Sequence, residues 1–285
     1  MSTQLTFTSF AVAGGTGGLG ALVVKKLLAQ GANVVVLGRT VSEVPDGATN
    51  RVVDYSDETS LVKALAGVEV VISALASAAA GLQPALATAA KQAGVRLFVP
   101  AEYGTDSRNL SERHPLAFKT ALHKHLTSID LPFTLYFNGY LSDFMLKPAF
   151  GFDIVNKKVS IVGEGKTPTS FTARPDVAHF MAFTLTHLPV ARLNNAALTV
   201  EGEKATFLEV VAAFDDVFGP KFEVAHRDVD ETQKRVKELG KAAFVDFAFL
   251  AAELGWVNVG ENDNNLVPDW KPLTIRQTLE QFVKQ

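Results

Sequence analysis

The sequence predicts an α/β fold: a doubly wound parallel sheet with a smaller, interleaved C-terminal lobe. Three observations support this prediction. In the first half, short apolar runs alternate with segments in which apolar residues recur at helical spacing. The connections between them are short, as is typical of βαβ units. A glycine-rich turn at residues 14–20 joins the first apolar run to the first helical segment.

The strands of the first half are predicted where apolar runs are bounded by glycine, proline or polar residues. These runs cover residues 10–13, 33–37, 52–55, 68–75, 95–100 and 133–137. Helices are predicted between them, where helical periodicity follows a capping residue, a proline or the glycine turn. These segments cover residues 21–30, 56–65, 84–93 and 115–129.

The regular alternation ends after about Lys147. Beyond it, strands are predicted at residues 158–162 and 197–201, and helices at 176–188, 207–218, 230–254 and 272–283. We therefore divide the chain into a first domain, residues 1–150, and a second lobe, residues 151–285, which also supplies elements that complete the sheet. The absence of a linker predicts that the two parts are closely packed.

Composition excludes several classes of protein. Hydrophobic residues make up 47% of the 285 residues and charged residues 20%, which is typical of a globular protein with a sizeable core. A net charge of −3 gives no reason to expect nucleic acid or an anionic membrane as a partner. The chain has no cysteine, so disulfides and thiolate chemistry are excluded. No signal peptide or membrane span is recognisable, which predicts a cytoplasmic protein.

The glycine turn has the spacing of a dinucleotide-binding fingerprint. Gly14 permits the tight turn, Gly17 lets the backbone approach a diphosphate at the helix N-terminus, and Gly20 lets helix and strand pack closely. The strand–turn–helix context favours this Rossmann-type site over a glycine turn without a ligand. The same loop supplies three further predicted cofactor contacts: Thr16, Gly18 and Leu19.

The end of the second strand indicates which dinucleotide is bound. An Asp or Glu there would accept hydrogen bonds from the ribose of NAD. This chain has Arg39 and Thr40 instead, and its nearest acid is Glu43. A guanidinium and a hydroxyl suit a 2′-phosphate, so the sequence favours NADP(H) over NAD. The alternative for Arg39 is an ordinary solvent-facing side chain.

Further cofactor contacts are predicted at the ends of the other strands. Asp54 and Tyr55 follow the third strand, where Asp54 is placed to meet the adenine edge or, equally, to cap the loop. Small residues after the fourth strand would admit the ribose on the nicotinamide side. The remaining predicted contacts lie after the fourth and sixth strands: Ala74, Leu75, Ala76, Asn138 and Gly139.

Lys119 is the candidate catalytic residue. None of the four tyrosines has a lysine four residues later, so the Tyr-x-x-x-Lys dyad of standard short-chain dehydrogenases is absent. Lys119 lies on the helix after the fifth strand among apolar neighbours and with sparse nearby charge, which predicts a readily deprotonated amine. Spacing alone favours the alternative, an ordinary surface lysine. We also include Lys119 among the cofactor contacts.

The histidines and the aromatic residues indicate a functional site less clearly. His123 and His125 are two positions apart on one helix and point to different faces, so we expect a core or solvated role and no metal site. Aromatic residues of the second half either line an apolar pocket or, as is commoner, belong to the core. They are Phe144, Phe150, Phe152 and Phe171.

Several motifs together resemble the NmrA-like and isoflavone reductase-like proteins, which are atypical short-chain dehydrogenases. They are Gly-Gly-Thr-Gly-Gly-Leu-Gly at residues 14–20, Gly-Val-Glu-Val-Val-Ile-Ser at 67–73 and Arg-Leu-Phe-Val-Pro-Ala-Glu-Tyr-Gly-Thr-Asp at 96–106. Ala-Phe-Lys at 117–119, Leu-Pro-Phe-Thr at 131–134 and the helix at 273–283 extend the likeness. The motifs are concentrated in residues 10–145.

The resemblance implies NADPH binding. It also implies a lysine that transfers a proton in the family's aromatic-alcohol and lignan reductases, and Lys119 matches that position. This chain departs from the family in having Ala-Glu-Tyr-Gly at residues 101–104 in place of Ser-Glu-Phe-Gly, and Glu69 in place of Asp. The substrate-loop residues of the plant enzymes have no recognisable counterpart, so the resemblance leaves the substrate open.

Two functions are therefore predicted. The first is an NADPH-dependent reductase of an apolar, aromatic or conjugated small molecule, although the family also includes isomerising and dehydrating enzymes. The second is an NmrA-type sensor that binds NADP without turning it over and contacts a regulatory partner. A sugar-nucleotide epimerase is disfavoured by the missing Tyr-x-x-x-Lys. The partner expected is a small-molecule substrate, and the protein is expected to be a monomer or a homodimer.

Overall fold

A five-stranded parallel sheet forms the centre of the first half. The computed structural model describes residues 6–112, 114–219 and 221–283. The strands are β1 (Ser9–Ala13), β2 (Asn33–Gly38), β3 (Thr49–Val52), β4 (Val70–Ser73) and β5 (Leu97–Val99), in the order β3-β2-β1-β4-β5. All four pairings are parallel. The predicted fold class, a doubly wound α/β sheet, is confirmed.

Helices cover both faces of this sheet because its strands are apolar on both sides. The helices are α1 (Gly18–Ala29), α2 (Glu58–Ala64), α3 (Gln83–Gln92) and α4 (Ala117–Ser128). Alternate residues of β2 belong to different cores: Val36 packs with α1, whereas Leu37 packs with α2 and α3. The parallel strands therefore bring all their carboxyl ends to one edge of the sheet.

The chain after α4 contains many short elements. They are β6 (Thr134–Phe137), β7 (Tyr140–Leu141), α5 (Ser142–Met145), β8 (Phe152–Asp153), β9 (Lys158–Val162), β10 (Thr169–Thr172), α6 (Arg174–His187), α7 (Val190–Leu193), β11 (Ala196–Thr199), β12 (Glu203–Ala205), α8 (Phe207–Phe218), β13 (Glu223–Arg227), α9 (Val229–Leu239), α10 (Phe244–Glu253) and α11 (Ile275–Val283). Short 3-10 helices lie at Ser77–Leu82, Pro148–Phe150, Gly240–Ala243 and Asn264–Leu266.

Elements from beyond residue 150 extend the first domain. Strand β11 pairs in parallel with β6, and a bridge between Phe98 and Phe133 joins this pair to β5. Helix α6 packs along α1, and its Val177, Phe180 and Met181 are buried in the same core as the α1 residues. The chain therefore crosses between the two lobes more than once. The boundary at residue 150 stays a prediction.

The second lobe has its own aromatic core. It is built on two small sheets, β13-β9-β8 and β12-β10-β7, covered by helices α8, α10 and α11. Phe152 stacks on Phe214 with ring centroids 4.9 Å apart, and Phe207 lies 4.8 Å from Phe249. Phe152 and Phe171 are therefore core residues, as the commoner of the two interpretations expected.

Several predicted bounds differ from the observed ones for local reasons. Strand β3 pairs with β2 over Thr49–Val52, so it ends at the residue where the predicted strand, 52–55, begins. The segment predicted as one helix at 230–254 divides into α9 and α10 at Gly240, whose φ is +53°. The last helix begins at Ile275 rather than 272, where the Ile275 amide donates to the Glu203 carboxylate. None of the helices described is long and apolar enough to cross a membrane.

Candidate dinucleotide and proton-transfer site

The glycine turn is a shallow cradle at the N-terminus of α1. Gly14 has a φ of +80°, and an added β-carbon there would lie 2.6 Å from the carbonyl oxygen of Ala74. A β-carbon on Gly20 would overlap the carbonyl oxygen of Gly14. Gly17 caps α1 without a side-chain hydrogen bond and is exposed, as are Thr16 and Gly18. The Gly17 N–H donates to the Gly14 carbonyl oxygen at 3.0 Å, so the N–H groups open to an anion are those of the first turn of α1, beginning at Gly18.

The predicted adenosine end lies at the ends of β2 and β3. Arg39 and Thr40 are exposed, and the Arg39 charge acts on Tyr55. Burial raises the pKa of Tyr55 to about 12, and the Arg39 charge opposes that shift. Asp54 accepts hydrogen bonds from the amide and the hydroxyl of Ser56, at 2.8 and 2.6 Å. Asp54 thus caps its loop, and its exposed carboxylate lies beside Tyr55.

The carboxyl ends of β4, β5 and β6 are tied together at the same edge. The Tyr103 hydroxyl donates to the carbonyl oxygen of Ser73 at 2.9 Å. The amides of Asn138 and Gly139 both donate to the carbonyl oxygen of Gly104, at 3.1 and 3.2 Å. The three small or apolar residues after β4 lie partly open beside Gly14: Ala74, Leu75 and Ala76. Leu19 is half-buried and packs into the α1 core.

Two buried polar atoms at this edge fit a bound dinucleotide. Among the atoms of residues 6–112, 114–219 and 221–283, the Ser73 Oγ and the Asn138 Oδ1 are buried without a hydrogen-bond partner. Buried polar atoms are normally paired in native proteins. A ligand with hydroxyl and amide groups would supply the missing partners. Together with the glycine cradle, these atoms show that the residues present suit a dinucleotide.

Lys119 lies buried at the carboxyl ends of the strands. It is in the first turn of α4, and its side chain is only 10% exposed. Its ammonium donates to the carbonyl oxygen of Glu102 and lies 3.6 Å from the Glu102 Oε2. An added β-carbon on Gly104 would lie 4.0 Å from the same nitrogen. The alternative of an ordinary surface lysine is therefore wrong, and Lys119 adjoins the Gly104–Asn138 contact.

The prediction of sparse charge around Lys119 is also wrong. Glu102, whose side chain is 1% exposed, faces the ammonium directly. Burial lowers the pKa of Lys119, and the Glu102 carboxylate opposes that shift. Burial would raise the pKa of Glu102, but the hydrogen bond from His123 and the charge of Lys119 outweigh it and hold that pKa below its ordinary value. The pair therefore places a carboxylate whose pKa is lowered beside an amine whose pKa is also lowered from its ordinary value.

Glu102 is held by two further residues that the sequence did not assign to the site. The Ser107 hydroxyl donates to Glu102 Oε2 at 2.5 Å. The Nε2 of His123 lies 2.7 Å from Oε1, and because the carboxylate can only accept, this nitrogen carries the proton. Of the two roles left open for His123, solvated or core, the buried side chain fits the second. The glutamate of the Ala-Glu-Tyr-Gly motif was the one available signal, since a charged residue follows a buried strand directly.

His125 lies apart from Glu102, Lys119 and His123, and among the described residues no metal site joins them. His125 is half-buried, and its Nε2 lies 3.1 Å from the Thr88 hydroxyl, away from Glu102. In the part of the chain that the structure describes, no three His, Asp or Glu side chains are grouped as metal ligands.

Aromatic side chains with exposed surface are present in the second lobe and just before it. Phe144 and Phe244 are 42% and 48% exposed, and Phe150 lies between them with ring centroids 4.9 and 6.3 Å away. On the other side of the loop after β5, His114 packs 5.6 Å from the half-exposed Trp256. Of the four phenylalanines considered as pocket-lining, Phe144 is exposed, whereas Phe150 is buried in the same core as Phe152 and Phe171.

Comparison with known proteins places the chain in a family. A model of the NmrA-like family matches residues 8–270. The chain is similar to the isoflavone reductase-like protein of Olea europaea, with 25% identity over 97% of this chain and 99% of the relative. It is also similar to oxidoreductase BOA1 of Botryotinia fuckeliana, with 32% identity over 74% of this chain and 76% of the relative.

Two solved structures share the fold. One is "AtPrR2 with NADP+ and (+)pinoresinol", with a TM-score of 0.82 and 22% identity over 97% of this chain and 99% of that chain. The other is a ternary complex of leucoanthocyanidin reductase from Vitis vinifera, with a TM-score of 0.84 and 18% identity over the same shares. Since the family model covers most of the chain and the fold agrees over its length, this protein is a member of the NmrA-like family, in the group that resembles isoflavone reductases.

Proposed function

We propose that this protein is an NADPH-dependent oxidoreductase that reduces an apolar, aromatic or conjugated small molecule. Its similarity to an isoflavone reductase-like protein and to oxidoreductase BOA1 supports a redox enzyme. The NADP⁺ in the AtPrR2 structure supports the choice of cofactor. In this chain, Arg39 and Thr40 at the end of β2 supply the cation and the hydroxyl that suit a 2′-phosphate.

One observation carries the proposal. A buried lysine faces a buried, ionised carboxylate at the edge of the sheet where the glycine turn also lies. Doubly wound sheets bind their ligands in this crevice, outside the carboxyl ends of the strands. An ion pair placed there costs desolvation energy, so a purely structural role explains it poorly.

Different residues would bind different parts of the cofactor. The N–H groups of the first turn of α1, beginning at Gly18, would hold the diphosphate, and the Ser73 Oγ and Asn138 Oδ1 would meet the ribose and amide on the nicotinamide side. Bound NADPH supplies the hydride that is added to the substrate. Asn138 and Gly139 fix the loop beneath, because both amides are bonded to Gly104.

Lys119 would supply the proton that balances the hydride. In the reductive direction its ammonium donates this proton to the substrate oxygen, and the neutral amine is then reprotonated from water. Burial lowers the pKa of Lys119 and so favours the release, while Glu102 keeps the protonated form accessible. Glu102 holds the lysine in position, and His123 in turn holds Glu102 through a contact of 2.7 Å.

The substrate side favours an apolar aromatic molecule. The rings of Phe144, Phe244 and Trp256 have exposed surface, and Trp256 adjoins the loop after β5, where its carbonyl oxygen accepts from the Thr105 hydroxyl. Aromatic side chains bind flat apolar ligands through burial of area and ring–ring contact.

A screen of wild-type protein tests the proposal. Aromatic ketones, enones and phenolic ethers are each mixed with the protein and NADPH, and the loss of NADPH absorbance is followed. Enzyme-dependent turnover of one class supports the reductase. Tight binding of NADPH without turnover of any class contradicts it and supports the NmrA-type sensor.

A further inference from the structure

We propose that Arg174, from the second half of the chain, is a ligand of the cofactor's diphosphate and that Asp143 positions it there. The inference rests on the proposed use of a dinucleotide. It adds to the glycine turn a cationic side chain from 156 positions further along the sequence. Neither the turn nor its motif contains that residue.

The guanidinium of Arg174 lies directly against the start of α1. A β-carbon added to Gly18, the first residue of that helix, would overlap the Arg174 Nη1. Alanine or any larger residue at position 18 would therefore push the guanidinium away. The contact places a positive charge over the exposed backbone of the glycine turn.

The potential at this point is positive from two independent sources. The first turn of α1 contains no acidic residue, and no side chain caps its N-terminus. No acid of α1 therefore neutralises the partial positive charge of the helix end, and the one counter-ion of Arg174, Asp143, binds its backbone amide and Nε. Two like charges held close together repel unless an anion lies between them, and a diphosphate is such an anion.

Asp143 holds the arginine so that its outer nitrogens stay available. One carboxylate oxygen accepts from the Arg174 backbone amide at 2.9 Å, and the other accepts from Nε at 2.8 Å. Among the described residues, none accepts a hydrogen bond from Nη1 or Nη2. The Phe144 ring, 5.8 Å from the guanidinium carbon, further restricts the side chain. The two free nitrogens form the fork that binds phosphate oxygens in pairs.

The position distinguishes the diphosphate from the other anionic group of NADPH. Gly18 lies at the start of α1, where the glycine spacing places the diphosphate. The 2′-phosphate belongs at the end of β2, where Arg39 lies. Asp176, whose carboxyl is influenced by the Asp143 charge, is engaged with the Leu273 amide at 2.9 Å. Arg174 therefore faces the diphosphate, while Arg39 faces the 2′-phosphate.

Two cofactor fragments separate these positions. 2′-Phospho-ADP-ribose has both the diphosphate and the 2′-phosphate, whereas 2′-AMP has the 2′-phosphate alone. Calorimetry with the ligand-free protein measures both affinities without any turnover. We expect Arg174→Gln to weaken 2′-phospho-ADP-ribose by about 10- to 100-fold, the loss of one charge-assisted contact, and to change 2′-AMP by less than about twofold.

Arg96→Gln is the matched control. Arg96 also pairs with a carboxylate, Glu69, at 2.7 Å and lies over a ring, that of Phe7, but it is at the other end of the sheet. Arg96→Gln should leave the affinities for 2′-phospho-ADP-ribose and 2′-AMP unchanged. Arg174→Lys keeps the charge without the fork, so it should lose less affinity for 2′-phospho-ADP-ribose than Arg174→Gln does. Asp143→Asn should weaken the binding of 2′-phospho-ADP-ribose but not that of 2′-AMP. Thermal melting verifies that each variant is folded.

The outcomes separate this inference from the proposed function. If the wild type binds neither fragment, both are overturned. If the wild type binds both and Arg174→Gln binds 2′-phospho-ADP-ribose as tightly, only the role of Arg174 is overturned. Equal weakening of the two fragments would also overturn it, because the effect would then not be at the diphosphate.

Discussion

The Nζ of Lys119 lies 3.6 Å from the Oε2 of Glu102, with both side chains buried at the carboxyl edge of the sheet. Two opposing effects act on the lysine there. Burial lowers its pKa, and the facing carboxylate raises it. The protonation state of Lys119 therefore depends on Glu102, although only the lysine would touch the substrate in the proposed reaction.

Removing the Glu102 charge should change the pH dependence of the reaction. In Glu102→Gln the effect that raises the pKa of Lys119 is lost, so the lysine gives up its proton at lower pH. We expect the alkaline limb of kcat/KM to move to lower pH, as measured over a pH series. Asp106→Asn, in the same loop but paired with Arg108 at 2.6 Å, is the control. An unchanged limb in Glu102→Gln would contradict the coupling.

Replacing Lys119 should remove proton transfer without unfolding the protein. We expect Lys119→Ala to lower the rate of single-turnover hydride transfer by about 10² to 10⁴ at saturating NADPH. Lys119→Arg should fail as well, because a guanidinium keeps its proton. Lys124→Ala, on the exposed face of the same helix, should behave as wild type. Partial rescue by arginine, with the loss confined to NADPH affinity, would instead identify Lys119 as a cofactor ligand only.

Arg39 should determine the preference for the phosphorylated cofactor. We expect the wild type to bind NADPH more tightly than NADH. Arg39→Ala should lose about 1–3 kcal/mol of that preference, the range for a hydrogen bond to a charged group. Calorimetry with both cofactors measures the difference, and the NADH affinity is the internal control. Equal wild-type affinities would exclude a 2′-phosphate site at Arg39.

Two glycines of one turn should respond differently to valine. At Gly17 the φ is −80°, which valine tolerates, and an added β-carbon meets only the Gly14 carbonyl oxygen, at 3.3 Å. Gly17→Val should therefore fold and lose dinucleotide binding, because the side chain occupies the place of the diphosphate. Gly14→Val requires a φ of +80° and should lower the melting temperature. Melting curves and NADPH titration distinguish the two, and unchanged affinity in a folded Gly17→Val would refute the cradle.

Asp176 should make the protein less stable as the pH rises towards neutrality. Burial raises the pKa of its carboxyl from 3.8 to about 6, so the folded state holds a proton that the unfolded chain releases. Stability therefore falls between about pH 4 and pH 6, by up to about 3 kcal/mol. We expect Asp176→Asn to raise the free energy of unfolding above pH 6 and to have no such effect near pH 4.

Chemical denaturation at the two pH values measures this difference. Asp130→Asn is the control, because Asp130 is fully exposed and its positive φ of 52° suits asparagine. A gain of equal size at both pH values would contradict the assignment to ionisation of Asp176.

The sequence predicted the central sheet well because its strands are fixed by local patterns. Strands such as Val70–Ser73 are continuous apolar runs between helical segments. It missed β7 and β10, which pair with each other through Phe171 and Tyr140, because two- and four-residue strands are defined by distant partners. The helix Phe207–Phe218 was predicted at its observed bounds, since Thr206 and Glu209 form a capping box at its start.

The parts of the candidate site that belong to local motifs were predicted from the sequence. The contacts that only the fold brings together were not. Lys119 and the glycine turn belong to recognisable local patterns. Glu102 lies 17 residues before Lys119 and reaches it only because the loop after β5 turns back at Tyr103, which has a φ of +37°. No spacing rule predicts that return, so the charge next to the lysine was not foreseen. The contact between Gly18 and Arg174 is longer in range still.

The packing of α6 on α1 has a consequence for synthesis of the protein on the ribosome. The apolar face of α1 is covered by Val177, Phe180 and Met181, which are translated about 150 residues after it. Until those residues have left the exit tunnel, a nascent chain presents that face to solvent. Exposed apolar surface of this kind makes incomplete chains prone to aggregate. The first domain therefore becomes complete only late in translation, and chaperones have the longest access to α1.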